Sequence, residues 1–147
     1  KRCLGLSYGI IKKSFVIPAN DFTAAGEASS CVKKMLIQLG VEPPKVKKAT
    51  ISMYEAEINA VIHANGGEAE IEIDKKKVLI KIRDRGPGIP DLELAMKEGY
   101  TTAPDTIREM GFGAGMGLPN MKRYADQLEI KTEVGKGTVV KITVRLT

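Results

Sequence analysis

Just past residue 63 the spacing of apolar residues changes from helical to alternating, and that change limits what this chain can fold into. Upstream, Ala25, Ala28, Val32, Met35, Leu36 and Leu39 recur at helical spacing across residues 22–39, with Asn20 or Asp21 placed to cap the start and Gly40 to close the end. Pro43 and Pro44 open a longer helix that runs to about His63, with Val46, Ala49, Ile51, Tyr54, Ile58, Val61 and Ile62 on its apolar side. Asn65, Gly66 and Gly67 end it. Downstream, residues 68–73 (EAEIEI) alternate, residues 74–77 (DKKK) turn, and residues 78–83 (VLIKIR) return as the second arm of a hairpin. A second hairpin is expected from residues 127–133 and 138–146, around Gly135 and Gly137. A strand over residues 9–18 precedes the helices. Between the hairpins come a loop at 84–91, a short helix at 91–98, a long loop over 99–117 and a helix over 118–125. Consecutive hairpins make antiparallel pairs, so the pattern predicts an α+β two-layer sandwich in one domain, residues 1–147, rather than a doubly wound sheet.

Composition narrows the function classes. At 147 residues, with 43% apolar and 28% charged types, the chain is long enough to bury a core without disulfides or a structural metal. Its two cysteines, Cys3 and Cys31, form no CxxC or CxxH pattern and there is one histidine, which argues for reduced thiols and against a zinc site. No apolar run reaches the length of a membrane span and the start lacks the order of a signal peptide, so a cytoplasmic location is expected, without a membrane partner. The chain opens on Lys1 rather than Met, as an excerpt of a longer protein would. The net charge of +5 is concentrated at the amino-terminal end, where residues 1–50 hold nine basic and three acidic groups. With no tryptophan and 5% aromatics, that excess reads as a solvated face or as an attraction for an acidic protein or a nucleotide, and not as a nucleic-acid surface.

Three segments carry chemistry. GFGAGMGLP, from Gly111 to Pro119, places glycine at every second position immediately before a helix, so backbone amides can approach a ligand where the helix end adds partial positive charge. It is neither a Walker A sequence nor a Rossmann loop, and it reads either as a phosphate loop or as a hinge. In DRGPGIPD, Asp84 ends an apolar strand; the carboxylate either caps the turn or accepts a hydrogen bond from an exocyclic amine, with Gly86 and Gly88 leaving room for a flat ring. In YEAEINAVIHA, Glu55, Asn59 and His63 are spaced four apart on one helical face while Glu57 points elsewhere. Such a face is either a solvated stripe or a site in which an amide oxygen holds Mg²⁺ and the carboxylate takes a proton.

Taken in order, ExxxN on a helix, DxGxG after a hairpin strand, GxGxGxG before a helix and GT entering a last strand resemble the GHKL nucleotide-binding superfamily, the group that includes gyrase, histidine kinases and MutL. The resemblance covers residues 10–147. Within that group, the EAEINAVIHANGG helix end and GAGMGLPNMKRYAD look most like the bacterial anti-sigma-factor serine/threonine kinases and the stress-response switch kinases. The fold so implied is a Bergerat-type sandwich, a mixed and mainly antiparallel sheet with helices on one face. The resemblance implies ATP and Mg²⁺ as cofactors, Glu55 as general base and Asn59 as Mg²⁺ ligand. It further implies Asp84 as the adenine-reading carboxylate, Gly86 and Gly88 beside the ring, and Thr138 near it through a water. Gly111, Gly113, Gly115 and Gly117 match the phosphate-facing glycines, and residues 99–110 the lid. One departure concerns the arginine that some anti-sigma kinases carry two residues before GMG. Gly113 stands there, which leaves Arg108 as the candidate for the γ-phosphate.

The leading expectation is therefore an ATP- and Mg²⁺-dependent protein serine/threonine kinase that phosphorylates and binds an anti-sigma-factor antagonist of the STAS type, with a sigma factor as a further partner and a homodimer as one possible assembly. Two alternatives stand beside it: the ATP-binding domain of a sensor histidine kinase, and an interaction module that binds nucleotide with little turnover.

Overall fold

The computed structural model describes residues 10–19, 21, 23–64, 66–97 and 117–147. The expected Gly111, Gly113, Gly115, Arg108 and lid lie outside them, as do Cys3, Asn20 and Asn65. Strands β1 (Ile11–Ile17), β2 (Gly67–Ile73), β3 (Lys77–Asp84), β4 (Gln127–Glu133) and β5 (Gly137–Arg145) form one sheet in the order β1-β2-β3-β5-β4. Every pairing in it is antiparallel. The helices are α1 (Glu27–Gln38), α2 (Pro43–His63), the single turn α3 (Leu92–Ala95) and α4 (Gly117–Tyr124).

Alternation in the strands decides which face the helices cover. Ala69, Ile71 and Ile73 of β2, Val78, Ile80 and Ile82 of β3, and Val140, Ile142 and Val144 of β5 all point inward and are buried. Each large aliphatic chain removed from water contributes on the order of 1.5–3 kcal/mol. The intervening Glu68, Glu70 and Glu72 face outward, so a register slip of one residue would bury three carboxylates. This is the expected Bergerat-type arrangement, an antiparallel sheet with helices on one side.

Helix α2 lies against the sheet with α1 on one flank and α4 on the other. Its start agrees with the sequence, since Pro43 and Pro44 occupy the first helical positions. Its buried side is partly different. Val46, Ala49, Met53, Ala56, Ala60 and Val61 are inside, whereas Ile51 and Ile62 are half-buried and Tyr54 is exposed. Small residues let the helix approach the sheet and its neighbours closely, and that requirement outranks the hydrophobicity of Tyr54, whose ring lies beside Gly26 instead.

Helix α1 starts at Glu27, later than the spacing suggests, and Asp21 is not its cap. Asp21 accepts hydrogen bonds from the Thr23 hydroxyl (2.7 Å) and the Ala24 amide (3.3 Å), closing a turn ahead of the helix. The helix is capped from outside by Glu57 of α2. Its Oε2 accepts from the amides of Gly26 (3.0 Å) and Ala28 (3.1 Å), and its Oε1 from the amide of Ser29 (3.0 Å). A carboxylate there satisfies donors that a helix start leaves unpaired and meets the positive end of the helix dipole.

Candidate functional site

The carboxyl end of β3 delivers Asp84 to the rim of the sheet. Its Oδ1 accepts from the amide of Gly86 (2.9 Å), two residues on, and from the amide of Thr138 on β5 (3.1 Å). The turn-capping reading of Asp84 is thus correct for one oxygen, while among the described residues Oδ2 takes no hydrogen bond. Thr138 is buried, and its hydroxyl pairs with that of Thr132 across the β4–β5 ladder at 2.9 Å. Thr132 also receives the Ile89 amide at 2.8 Å, and the Pro87 carbonyl oxygen receives the Gly135 amide at 2.8 Å. The DRGPGIPD loop is therefore fastened to the second hairpin.

Its two glycines are required by that fit. Gly88 has φ +81°, and a β-carbon there would lie 2.5 Å from the carbonyl oxygen of Glu133. A β-carbon on Gly86 would lie 2.5 Å from the Ala64 methyl, just beyond the end of α2. That contact joins the sheet rim to the helix that carries the other candidate residues.

One side of α2 then continues the site away from Ala64. Asn59 is half-buried, and Gly117 at the start of α4 sits against it: a β-carbon on Gly117 would be 3.0 Å from both Oδ1 and Nδ2 of Asn59. Among the described residues the Asn59 amide makes no hydrogen bond. One turn earlier, Glu55 accepts a hydrogen bond at Oε2 from Asn120 Nδ2 (3.0 Å), and its Oε1 has no partner among the described residues. Burial pushes the neighbouring Tyr54 phenol above its ordinary value, and the carboxylates of Glu55 and Glu57 add to that rise.

Two clusters emerge. Asp84, Gly86, Gly88 and Thr138 meet at the sheet rim; Glu55, Asn59 and Gly117 meet where α2 faces α4. The Gly86–Ala64 contact links them, and no hydrogen bond between the two is seen among the described residues. Sequence reasoning missed Asn120, Thr132 and the role of Glu57. Asn120 was accessible in principle, because it follows Gly117 by three residues and so lies on the same face of its helix. Thr132 was accessible only through its register opposite Thr138. Among the described residues no three His, Cys, Asp or Glu side chains gather as a metal cage, and no helix is long and apolar enough to cross a membrane.

Comparison with known proteins identifies the arrangement. The family model for the histidine kinase-, DNA gyrase B- and HSP90-like ATPases matches residues 50–147, which hold both clusters. The chain is 34% identical over 137 residues to an anti-sigma F factor of Pasteuria penetrans, covering 86% of this chain and 88% of that protein. It is 31% identical over 125 residues to the serine/threonine-protein kinase RsbT of Bacillus subtilis, with 82% and 86% covered. Among solved structures, one of RsbU and RsbW domains from Mycobacterium tuberculosis superposes with a TM-score of 0.59 at 15% identity, covering 92% of this chain and 32% of that one. The mycobacterial sensor histidine kinase MprB superposes with a TM-score of 0.51 at 16% identity, covering 92% and 97%. These two likenesses concern the fold, and the chain spans about a third of the first. With the sequence order, the sheet and the family match in agreement, the chain belongs to the histidine kinase-, DNA gyrase B- and HSP90-like (GHKL) ATPase family.

Proposed function

We propose that this protein is an ATP- and Mg²⁺-dependent protein serine/threonine kinase of a sigma-factor pathway, which phosphorylates and binds a STAS-type anti-sigma-factor antagonist. The observation that carries the reading is Glu55: one carboxylate oxygen is held by Asn120, the other is uncommitted among the described residues, and the side chain stands one helical turn from the Asn59 amide. Relatives named anti-sigma F factor and serine/threonine-protein kinase RsbT support the choice of reaction and pathway.

The chain's own groups divide the work. Asp84 Oδ2 is available to accept a hydrogen bond from the exocyclic amine of adenine, because Oδ1 already satisfies two backbone amides. Gly86 and Gly88 keep side chains away from the ring, and Thr138 fixes the carboxylate from behind. The Asn59 oxygen is a hard neutral donor suited to Mg²⁺, which takes few protein ligands and completes its shell with phosphates and water. When bound, Mg²⁺ supplies charge neutralisation for the phosphates. Gly117, with Gly111, Gly113 and Gly115, offers backbone to the same phosphates, and Arg108 is the candidate for the γ-phosphate. Glu55 accepts the proton of the substrate hydroxyl as that oxygen forms its bond to the γ-phosphorus; the bond from that phosphorus to the bridging oxygen breaks, and ADP leaves. Phosphorylation of the antagonist then breaks its complex with the kinase and changes which regulator is free.

Two measurements test this. Mg²⁺·ATP raises thermal stability, by about 2.7 kcal/mol at a hundredfold excess over Kd, because it binds the native chain alone. Single-turnover transfer of labelled γ-phosphate to an antagonist is abolished by Glu55→Ala and by Asn59→Ala. Stabilisation without any transfer by the wild type would instead mean a nucleotide-bound interaction module, and undiminished transfer by either variant would sink the assignment of roles.

A further inference from the structure

Helices α2 and α4 touch at two points one turn apart: Gly117 against Asn59, and Asn120 against Glu55. Moving forward along α4 from 117 to 120 corresponds to moving backward along α2 from 59 to 55, so the helices run antiparallel here with their turns in step. Apolar docking of α4 is already provided by Leu118 and Met121, which are 7% and 0% exposed. Asn120 is half-buried beside them, and its amide is spent on one carboxylate oxygen of Glu55.

A glutamate on a helix has three rotatable bonds, so an unrestrained carboxylate would present either oxygen in many directions. Fixing Oε2 removes most of that freedom. We infer that Asn120 is a positioning residue for phosphoryl transfer, holding Oε2 of Glu55 so that Oε1 is the atom that receives the hydroxyl proton. This rests on the reading of Glu55 as the base. Because Asn120 follows Gly117 within the first turn of α4, the same helix start that faces Asn59 also sets the base, and the two halves of the site keep a fixed relation. None of the ExxxN, DxGxG and GxGxGxG motifs includes this position.

A double-mutant cycle tests it. Asn120→Ala lowers the single-turnover transfer rate about tenfold, as expected for losing one hydrogen bond to a charged group, and leaves the dissociation constant for Mg²⁺·ATP unchanged. In the Glu55→Gln background the same change costs nothing further, since the residue acts only through that carboxylate. Asn120→Asp keeps the shape but slows the wild-type enzyme by setting two carboxylates against each other, and it too adds no loss in the Glu55→Gln background. Independently of activity, the Asn120 side-chain amide proton resonance moves when Glu55 is replaced by Ala. Wild-type rates in both Asn120 variants, or equal losses in both backgrounds, overturn the inference while leaving Glu55 as base. Undiminished transfer by Glu55→Gln overturns the base itself and the inference with it.

Discussion

Glu55 and Glu57 stand two residues apart on one helix and show how folding commits one carboxylate fully and leaves the other, the proposed base, partly open. Glu57 is 2% exposed and accepts three backbone amides, two on one oxygen and one on the other, so its bonding capacity is committed to holding α1. Glu55 is half-buried, has one oxygen restrained by a side-chain amide and keeps the other open among the described residues. Both are negative, both are near Tyr54, and both are supplied by the same rigid helix. The difference lies in valence left over after folding. A general base needs an open lone pair within a fixed frame, and a cap needs none.

That contrast can be broken by exchanging roles. Glu55→Gln is expected to reduce phosphoryl transfer by about 10²–10⁴-fold, the usual worth of a positioned base, while changing unfolding free energy by less than about 0.5 kcal/mol. The amide oxygen of the glutamine can still accept from Asn120. Glu57→Ala is expected to do the reverse in kind. It orphans three amides in a buried place and lowers stability by roughly 3 kcal/mol, or roughly 10 °C in Tm for a chain of this size, read by denaturant and thermal unfolding. If Glu57→Ala were as stable as the wild type, the distinction drawn from hydrogen-bond count would be wrong.

Asp84 sits between these extremes, with one oxygen accepting from Gly86 and Thr138 and the other open among the described residues. Asp84→Asn keeps the volume and lets the amide oxygen retain the two backbone bonds, which turns the open acceptor into a donor. The expected result is a fold that melts near the wild-type temperature and binds ATP about 10–100-fold more weakly by calorimetry, since two donors would then face each other. Unchanged affinity would move the adenine elsewhere.

How much of this was legible in the sequence depends on the range of the interaction. The strands, both hairpins and α2 follow from local period and from proline and glycine, so Pro43, Gly67 and the DKKK turn mark their ends correctly. Glu55, Asn59, Asp84 and Gly117 could be singled out as candidates from helical spacing, a strand end and the alternating glycines, while the roles proposed for them came from the resemblance to the family. The start of α1 was not visible, because its cap comes from Glu57, 28 to 31 residues away in sequence, and no local pattern records a partner that arrives through packing. Tyr54 was misjudged for a related reason: hydrophobicity counts transfer from water but not the closeness that Ala56 and Ala60 permit. Thr132 and Asn120 required the register of β4 against β5 and the docking of α4 on α2, both of which exist only once the sheet is assembled.

A fourth carboxylate gives the smallest effect and the most exacting check on the comparison. Asp126, just after α4, uses both oxygens like Glu57, but remote from the candidate site: Oδ1 takes Lys48 Nζ at 2.7 Å and Oδ2 the Arg145 amide at 2.7 Å. Burial raises its proton affinity, yet the Lys48 and Arg145 hydrogen bonds outweigh that and hold the carboxyl below its ordinary 3.8. A group whose folded value is depressed contributes stability that is complete above the unfolded value and is lost as pH falls through the folded one. Asp126→Asn should therefore be less stable than the wild type at neutral pH by about 1 kcal/mol or less, given the partial exposure of Lys48, with phosphoryl transfer unaffected. The gap between the two urea midpoints should begin to close as pH falls below about 3.8 and vanish once pH has passed the depressed folded value, where both chains carry a neutral side chain at this position. A gap that stayed constant to low pH would assign the effect to shape rather than charge, and a loss of transfer would mean that a saturated carboxylate outside the site nonetheless reaches it.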